Sequence, residues 1–372
     1  MINYERLLDT FLSLLSIESL SLREEAMADA VRERLESLGL AVEVDDAGRK
    51  IEGQAGNLIA RIEGSTKAAP ILLNAHLDTV GPIAGVKPQV VGRRVVSAGD
   101  TVLGADDKAG VACIMEAAQV MLEQNLPRPP IEIVFTVAEE IGLLGAKHLD
   151  HSRIASRIGF ILDGDGPVGA IATSAPGHDS IKATIRGKAA HAGLHPEKGI
   201  NAIKVAADAI AAMRIGRIDE ETTANIGTIS GGQASNIVPD RVEVVAEARS
   251  RNAGKLRAQT EHMVSLFDET ARKANAQCDV QVERVYEAYT LAEDSPVVSI
   301  AASAIKALGV RPRFQATGGG SDSNIFNAHG IRTAVLSTGC ENAHTTDEYI
   351  AVEQLEILAN LVLKIVALAA EP

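Results

Sequence analysis

The run P-I-L-L-N-A-H-L-D-T-V at residues 70–80, followed by G-A-D-D-K-A-G at 104–110, decides how the rest of the chain is read. Its first half is a buried-strand pattern that ends in His76 and Asp78. Strand side chains alternate faces, so residues two apart share one. His76 and Asp78 therefore project together from the strand's carboxyl end. The second half sets two adjacent carboxylates, Asp106 and Asp107, in a glycine-flanked loop ahead of an apolar helix. Imidazole and carboxylate at strand ends are the materials of a transition-metal site in an open α/β sheet.

Outward from that stretch, helices are expected at 4–15 and 23–38 and strands at 41–45, 57–63 and 71–77. A short antiparallel excursion covers 86–97, a helix runs from about 108 to 124, and strands at 131–137 and 158–162 end in Glu139-Glu140 and Asp163. Strands alternating with helices predict an α/β fold, a mostly parallel sheet sandwiched by helices. The pattern changes after Pro176. Strand 179–187, helix 200–213, strands 224–230 and 238–248, helix 255–274 and strand 278–287 follow in β-α-β-β-α-β order, the ferredoxin-like arrangement. From about 291 the first pattern resumes: helix 295–308, strand 311–316, the T-G-G-G-S-D loop, another helix, strand 331–337 and a closing helix 353–370. The expected division is a catalytic domain of 1–176 and 291–372 with an inserted α+β domain of 177–290.

Bulk properties agree. At 372 residues the chain exceeds one ordinary core. A net charge of −13 argues against a nucleic-acid partner. No apolar run reaches the ~18 residues of a membrane span, and the opening M-I-N-Y-E-R-L-L-D-T lacks signal-peptide character. Three cysteines without C-x-x-C spacing fit a reducing compartment, so a cytoplasmic protein is expected.

Four further candidate ligands, Asp106, Glu140, Asp163 and His344, lie at strand ends or in loops. Two imidazoles and three carboxylates suit zinc, manganese or cobalt. One zinc needs about four ligands, so five side chains serve two divalent ions better, with Asp106 as the natural bridge. Such a pair lowers the pKa of a bridging water enough to give hydroxide at neutral pH. Of the adjacent Glu139 and Glu140, one can bind metal while Glu139 takes the proton from that water. Asp78 is placed to orient His76. Plainer readings stand beside these: His76 and Asp78 as a hydrogen-bonded pair, and Glu139-Glu140 as a solvated strand end.

H-L-D-T-V, G-A-D-D-K-A-G, A-E-E-I-G-L-L-G-A, the Asp163 strand end and a late His resemble the dinuclear zinc metallopeptidases related to peptidase T, a group that includes carboxypeptidase G, aminoacylase and succinyl-diaminopimelate desuccinylase. T-S-A-P-G, G-K-A-A-H-A-G, S-N-I-V-P-D and T-G-G-G-S-D-S-N-I-F resemble the peptidase T-like branch most. The resemblance implies that His76 and Asp163 bind one metal, Glu140 and His344 the other, and that Asp106 bridges. It implies Glu139 as general base, a cis peptide at Asp106-Asp107, and an inserted domain acting as lid and dimerisation unit. His191 would then reach the partner subunit's site and stabilise the oxyanion. Asn236 and Arg249 would contact substrate, Arg249 through a substrate carboxylate, and Gly319 would border the cleft by its backbone. Arg249 could instead pair with an acidic neighbour. Gly164-Asp165-Gly166 and E-N-A-H-T-T-D-E depart from peptidase T proper, which puts strict tripeptide specificity in question.

The expected activity is metal-dependent hydrolysis of short peptides by a homodimer. N-acyl-amino-acid hydrolysis or carboxypeptidase action is the nearest alternative, and a non-catalytic metal- or peptide-binding module the alternative of another class.

Overall fold

The computed structural model describes residues 1–371. The chain separates into two compact units, one made of Met1–Thr173, Leu291–Ala316 and the segment from Ser321 on, the other of Ser174–Thr290 with Thr317–Gly320.

The first unit is built on one sheet. In spatial order its strands are Val42–Val44, Leu58–Ile62, Ile131–Thr136, Ile71–His76, Ile158–Gly164, Arg332–Ser337 and Ala170–Ala175. The four central strands, Ile131–Thr136 to Arg332–Ser337, run parallel, and the outer pairings are antiparallel. Every residue of Ile71–His76 and Ile131–Thr136 is buried, as helices on both faces require. Helix Ala105–Glu123 packs on Ile71–His76 and Ile158–Gly164 and is itself covered by helices Tyr4–Leu15 and Val352–Ala369. On the other face Ile59, Leu72, Val134, Ile161 and Val335 form a core with Phe326 and Leu149. Helix Tyr4–Leu15 shows why the local sequence complies: Asn3 caps it by accepting from the Arg6 N–H, and Leu7, Phe11, Leu14 and Leu15 form its buried stripe.

The strand Ala170–Ala175 was not anticipated, because its A-I-A-T-S-A sequence is too short and small-sided to show a period. The excursion at 86–97 is a hairpin, Pro88–Val91 with Arg94–Ser97. It joins a small sheet with Tyr349–Ala351 and Cys340–Glu341. That sheet carries the segment holding His344.

In the second unit the strand order is Gly216–Arg217, Thr222–Gly231, Arg241–Ser250, Gly177–Arg186, Gln277–Tyr286, all antiparallel. Helices Ala202–Ala212 and Ala253–Lys273 cover one face around Ile181, Val244, Met263 and Phe267. Apart from the two-residue edge strand, this is the β-α-β-β-α-β connectivity. The strand expected from 238 starts instead at Arg241, since Pro239 has no N–H to give a ladder. Thr317–Gly320 clusters with this unit, where a Cβ on Gly320 would come within 2.3 Å of the Tyr286 ring. Among the described residues no helix is long and apolar enough to cross a membrane.

Candidate active site

Parallel strands end on one side of a sheet, and here that geometry collects the titratable groups. His76 ends Ile71–His76, and Asp163 lies next to last in Ile158–Gly164. Asp106 and Asp107 open helix Ala105–Glu123 with non-helical backbone angles, and the peptide between them is cis.

Asp106 faces both imidazoles: Oδ1 lies 3.3 Å from His76 Nε2 and Oδ2 lies 3.3 Å from His344 Nε2. His76 Nε2 is also 3.6 Å from Asp163 Oδ1, and His344 Nε2 is 3.0 Å from Glu140 Oε1. Two donors on one tetrahedral zinc, each at ~2.0–2.1 Å, stand ~3.3 Å apart. The donor set therefore fits divalent cations in spacing as well as in type. His76, Asp106 and Glu140 form one group of ligand atoms close enough to share an ion, and His76, Asp107 and Asp163 form another.

The tautomer of His76 follows from its other nitrogen. Nδ1 lies 2.9 Å from the Asp78 carbonyl, which can only accept, so in the neutral ring Nδ1 holds the proton and Nε2 is the nitrogen free to bind a cation beside the carboxylates. This refines the role expected of Asp78. Its carboxylate is 3.5 Å from Nδ1, and its close contacts are elsewhere. Oδ1 accepts from the Glu139 N–H at 2.9 Å, and Oδ2 from the Glu140 N–H at 3.2 Å and the Ser21 hydroxyl at 2.6 Å. The main chain of Asp78 orients the imidazole, and its side chain sets the turn that carries both glutamates.

Without a cation the charges are poorly matched. Burial alone would lower the His76 pKa, but hydrogen bonds that the ring donates to Asp106, Asp163 and Asp78 outweigh it and hold it well above the usual range. His344 is pushed up to about 10 by Asp106 and Glu140. Burial, then the neighbouring Asp106 and Glu140 charges, raises Asp163 to about 7 against the opposing pull of His76. Glu139 sits well above a normal carboxylate, first through burial and then through Asp163. Asp106 is held low because its contacts with His344 and His76 exceed the cost of burial. A site that retains protons on acids and imidazoles alike is a site short of positive charge.

Sequence reasoning gave Asp107 no role beyond the cis peptide. Its Oδ2 accepts from the His76 N–H at 3.2 Å and its Oδ1 from the Gly110 N–H at 3.2 Å. A Cβ at Gly110 would meet that Oδ1 at 2.4 Å, which explains the glycine of G-A-D-D-K-A-G. Glu24 was also missed: its Oε1 accepts from the N–H groups of Leu22 and of Ala138, the residue before Glu139. No local pattern marks a buried acid whose partners are main-chain groups far along the chain.

The remaining candidates lie in the second unit. His191 bridges Ile237, and the Ala192 N–H donates to the Asn236 carbonyl, so His191 and Asn236 are neighbours with both residues exposed. The N–H groups of Gly193 and Leu194 donate to His191 Nδ1 at 3.2 Å each, which leaves Nε2 as the nitrogen that carries the proton in the neutral ring. Arg249 is engaged by an acidic neighbour, Nη2 lying 2.9 Å from Glu247 Oε2, and that oxygen is also 3.2 Å from His178 Nε2. Arg249 Nε remains buried without a partner. Gly319 is exposed and a Cβ there would touch only Thr317 Oγ1, at 3.9 Å; Gly320 is the glycine that packing demands.

The chain can be compared with known proteins on this footing. The sequence model of Peptidase family M20/M25/M40 matches residues 72–368. The crystal structure of aminopeptidase PepT from Bacillus cereus is 43% identical, with a TM-score of 0.91 and 100% of both chains covered. A tripeptidase from Staphylococcus aureus is 40% identical at a TM-score of 0.95, over 100% of this chain and 99% of the other. Peptidase T of Fusobacterium nucleatum is 27% identical over 349 residues, 92% of this chain and 83% of its own. The strand-end carboxylates and imidazoles thus stand in a chain that belongs to Peptidase family M20/M25/M40, as a peptidase T-like member.

Proposed function

We propose that this protein is a metal-dependent aminopeptidase or tripeptidase that cleaves short peptides with a free N-terminus. The observation that carries the reading is Asp106, whose two oxygens each face a different histidine. His76 and Asp163 would hold one ion, Glu140 and His344 the other, and Asp106 would serve both. Zinc suits the mixed imidazole and carboxylate set, and manganese or cobalt is accommodated by the same donors. When bound, the ions supply Lewis acidity toward the scissile carbonyl and make water acidic.

The chain's own groups do the rest. Glu139 takes the proton from the attacking water and passes it to the leaving amine. Asp78 keeps Glu139 in place through its N–H. His191 Nε2–H donates to the oxyanion in the partner subunit. Asn236, Arg249 and the Gly319 backbone bind substrate, with Arg249 taking the peptide carboxylate.

Two coarser properties follow the same reading. A homodimer through the second unit accords with strand Thr222–Gly231, which carries an edge partner only at Thr223 and Ala224 and exposes Ile229. A cytoplasmic location accords with three free cysteines. The deciding experiment is hydrolysis of di- and tripeptides, N-blocked peptides and N-acyl amino acids by metal-stripped protein re-supplied with zinc, manganese or cobalt. Turnover of free-amino peptides alone supports the proposal. Turnover of acylated compounds alone overturns it, and stoichiometric peptide binding without cleavage supports a binding module instead.

A further inference from the structure

Five side chains face the site, but they are not held equally well. His76 is fixed by ladder pairing with Thr136 in the central sheet, and Asp163 lies in strand Ile158–Gly164 beside the paired Gly164. Glu140 is fixed through its N–H on Asp78. Asp106 and His344 lie outside the sheet, in irregular backbone. His344 itself has φ of 65° and Asn342 has φ of 57°, left-handed values that a β-carbon disfavours. Backbone of this kind persists where surrounding contacts over-determine it.

Those contacts converge on one group. Glu348 is only 2% exposed. Its Oε2 accepts from the N–H groups of Leu103 at 2.8 Å and Gly104 at 2.7 Å. Its Oε1 accepts from the Asp106 N–H at 3.0 Å and from the Cys340 thiol at 3.4 Å. The same residue closes the turn after His344, its N–H donating to the Thr345 carbonyl. One buried carboxylate thus ties the loop that presents Asp106 to the loop that presents His344, two segments about 240 residues apart. All four of its acceptor contacts are N–H or S–H donors, so a neutral amide cannot replace it without aiming a donor at donors.

We propose that Glu348 is a positioning residue for the bound ions: by tying the Asp106 loop to the His344 loop it sets their affinity, and most strongly that of the ion held by Asp106, Glu140 and His344. The inference rests on the metal reading given above. Removing a group that orients ligands through hydrogen bonds costs roughly 10–100-fold in metal affinity. That loss should fall most heavily on the ion at His344, since Glu348 holds the segments of both Asp106 and His344, whereas only Asp106 of these serves the other ion.

The test is a Zn²⁺ chelator-competition titration of the full chain, comparing wild type, His344→Ala and Glu348→Gln, with thermal unfolding of each metal-free protein alongside. Wild type binding two ions, and His344→Ala retaining only one tightly, is the outcome the metal reading requires; a wild type that binds none sinks that reading itself. Given two ions in wild type, Glu348→Gln should bind the ion at His344 about 10–100-fold more weakly and weaken the other distinctly less. Unchanged affinity for both ions overturns the proposal. Equal weakening of both ions also overturns it, and a lowered metal-free Tm would then mark a general packing defect. Should Glu348→Gln not fold, Glu348→Asp, which keeps the charge but withdraws it by one methylene, is scored by the same criteria.

Discussion

At the scale of the residue, neighbouring acids have been given different work by their partners. Glu139 and Glu140 both hang from Asp78 by their N–H groups, but only Glu140 lies against a histidine, with His344 Nε2 at 3.0 Å. Glu139→Gln should therefore lower kcat by about a hundredfold to ten-thousandfold while metal content stays at the wild-type level. Metal analysis beside steady-state kinetics checks this, and loss of bound metal would move Glu139 into the ligand set. Glu24 allows a prediction away from the ligands. Burial, then Asp78, raises its pKa to about 7 from 4.5, and Oε2 has no hydrogen-bond partner. A raised acid keeps its proton in the folded chain after the unfolded chain has lost it. Its stabilising contribution is complete below about pH 4.5 and is lost as the pH rises through about 7. Glu24→Gln keeps an acceptor for Leu22 and Ala138 and cannot ionise. Denaturant unfolding should show the variant losing less stability than wild type between pH 5 and pH 8, and parallel curves would refute the assignment.

At the scale of the element, the turn from loop to helix at Ala105–Glu123 is the least forgiving part. Gly110 lies where a Cβ would meet Asp107 Oδ1 at 2.4 Å and the Leu162 carbonyl at 2.6 Å. Gly110→Ala should cost roughly 1–3 kcal/mol as an overpacking change, and the displaced Asp107 should weaken metal binding with it. Chemical denaturation of the metal-free variant measures the first effect, and a neutral result would show that the helix can shift. Much of this was legible beforehand because the central strands are short apolar runs that stop at charged residues: Ile71 to His76, Ile131 to Glu139, Ile158 to Asp163. Period and punctuation sufficed for most of the elements and marked the strand ends at which His76, Glu140 and Asp163 lie. They could not reveal that the Asp78 carboxylate holds two glutamate N–H groups, or that Glu348 spans two loops. A carboxylate bonded to main-chain groups leaves no trace in the sequence of the segment it binds. Nor could they find Ala170–Ala175, whose register comes from Val335 and Leu336 and not from its own pattern.

At the scale of the whole molecule, the crowding of acids links metal content to stability. Asp106, Asp107, Glu139, Glu140 and Asp163 surround two imidazoles; three of these acids, Asp107, Glu139 and Asp163, are held above their usual protonation range by burial and by neighbouring acidic charge, and His76 and His344 are raised by their acidic partners. A ligand that binds only the folded chain stabilises it by RT ln(1 + [L]/Kd), about 2.7 kcal/mol at a hundredfold excess over Kd. Chelation should thus lower Tm and zinc should restore it. Calorimetry that gave the same Tm in both states would contradict a cation-binding site.

The first unit is discontinuous: His76, Asp106, Glu140 and Asp163 precede the second unit in the chain, while His344 and Glu348 follow it. A chain emerging from the ribosome therefore carries His76, Asp106, Glu140 and Asp163 for the whole time the second unit is being made, before His344 and Glu348 exist to join them. The five side chains can meet only after the last segment is synthesised, so the proposed activity would be a property of the finished chain alone.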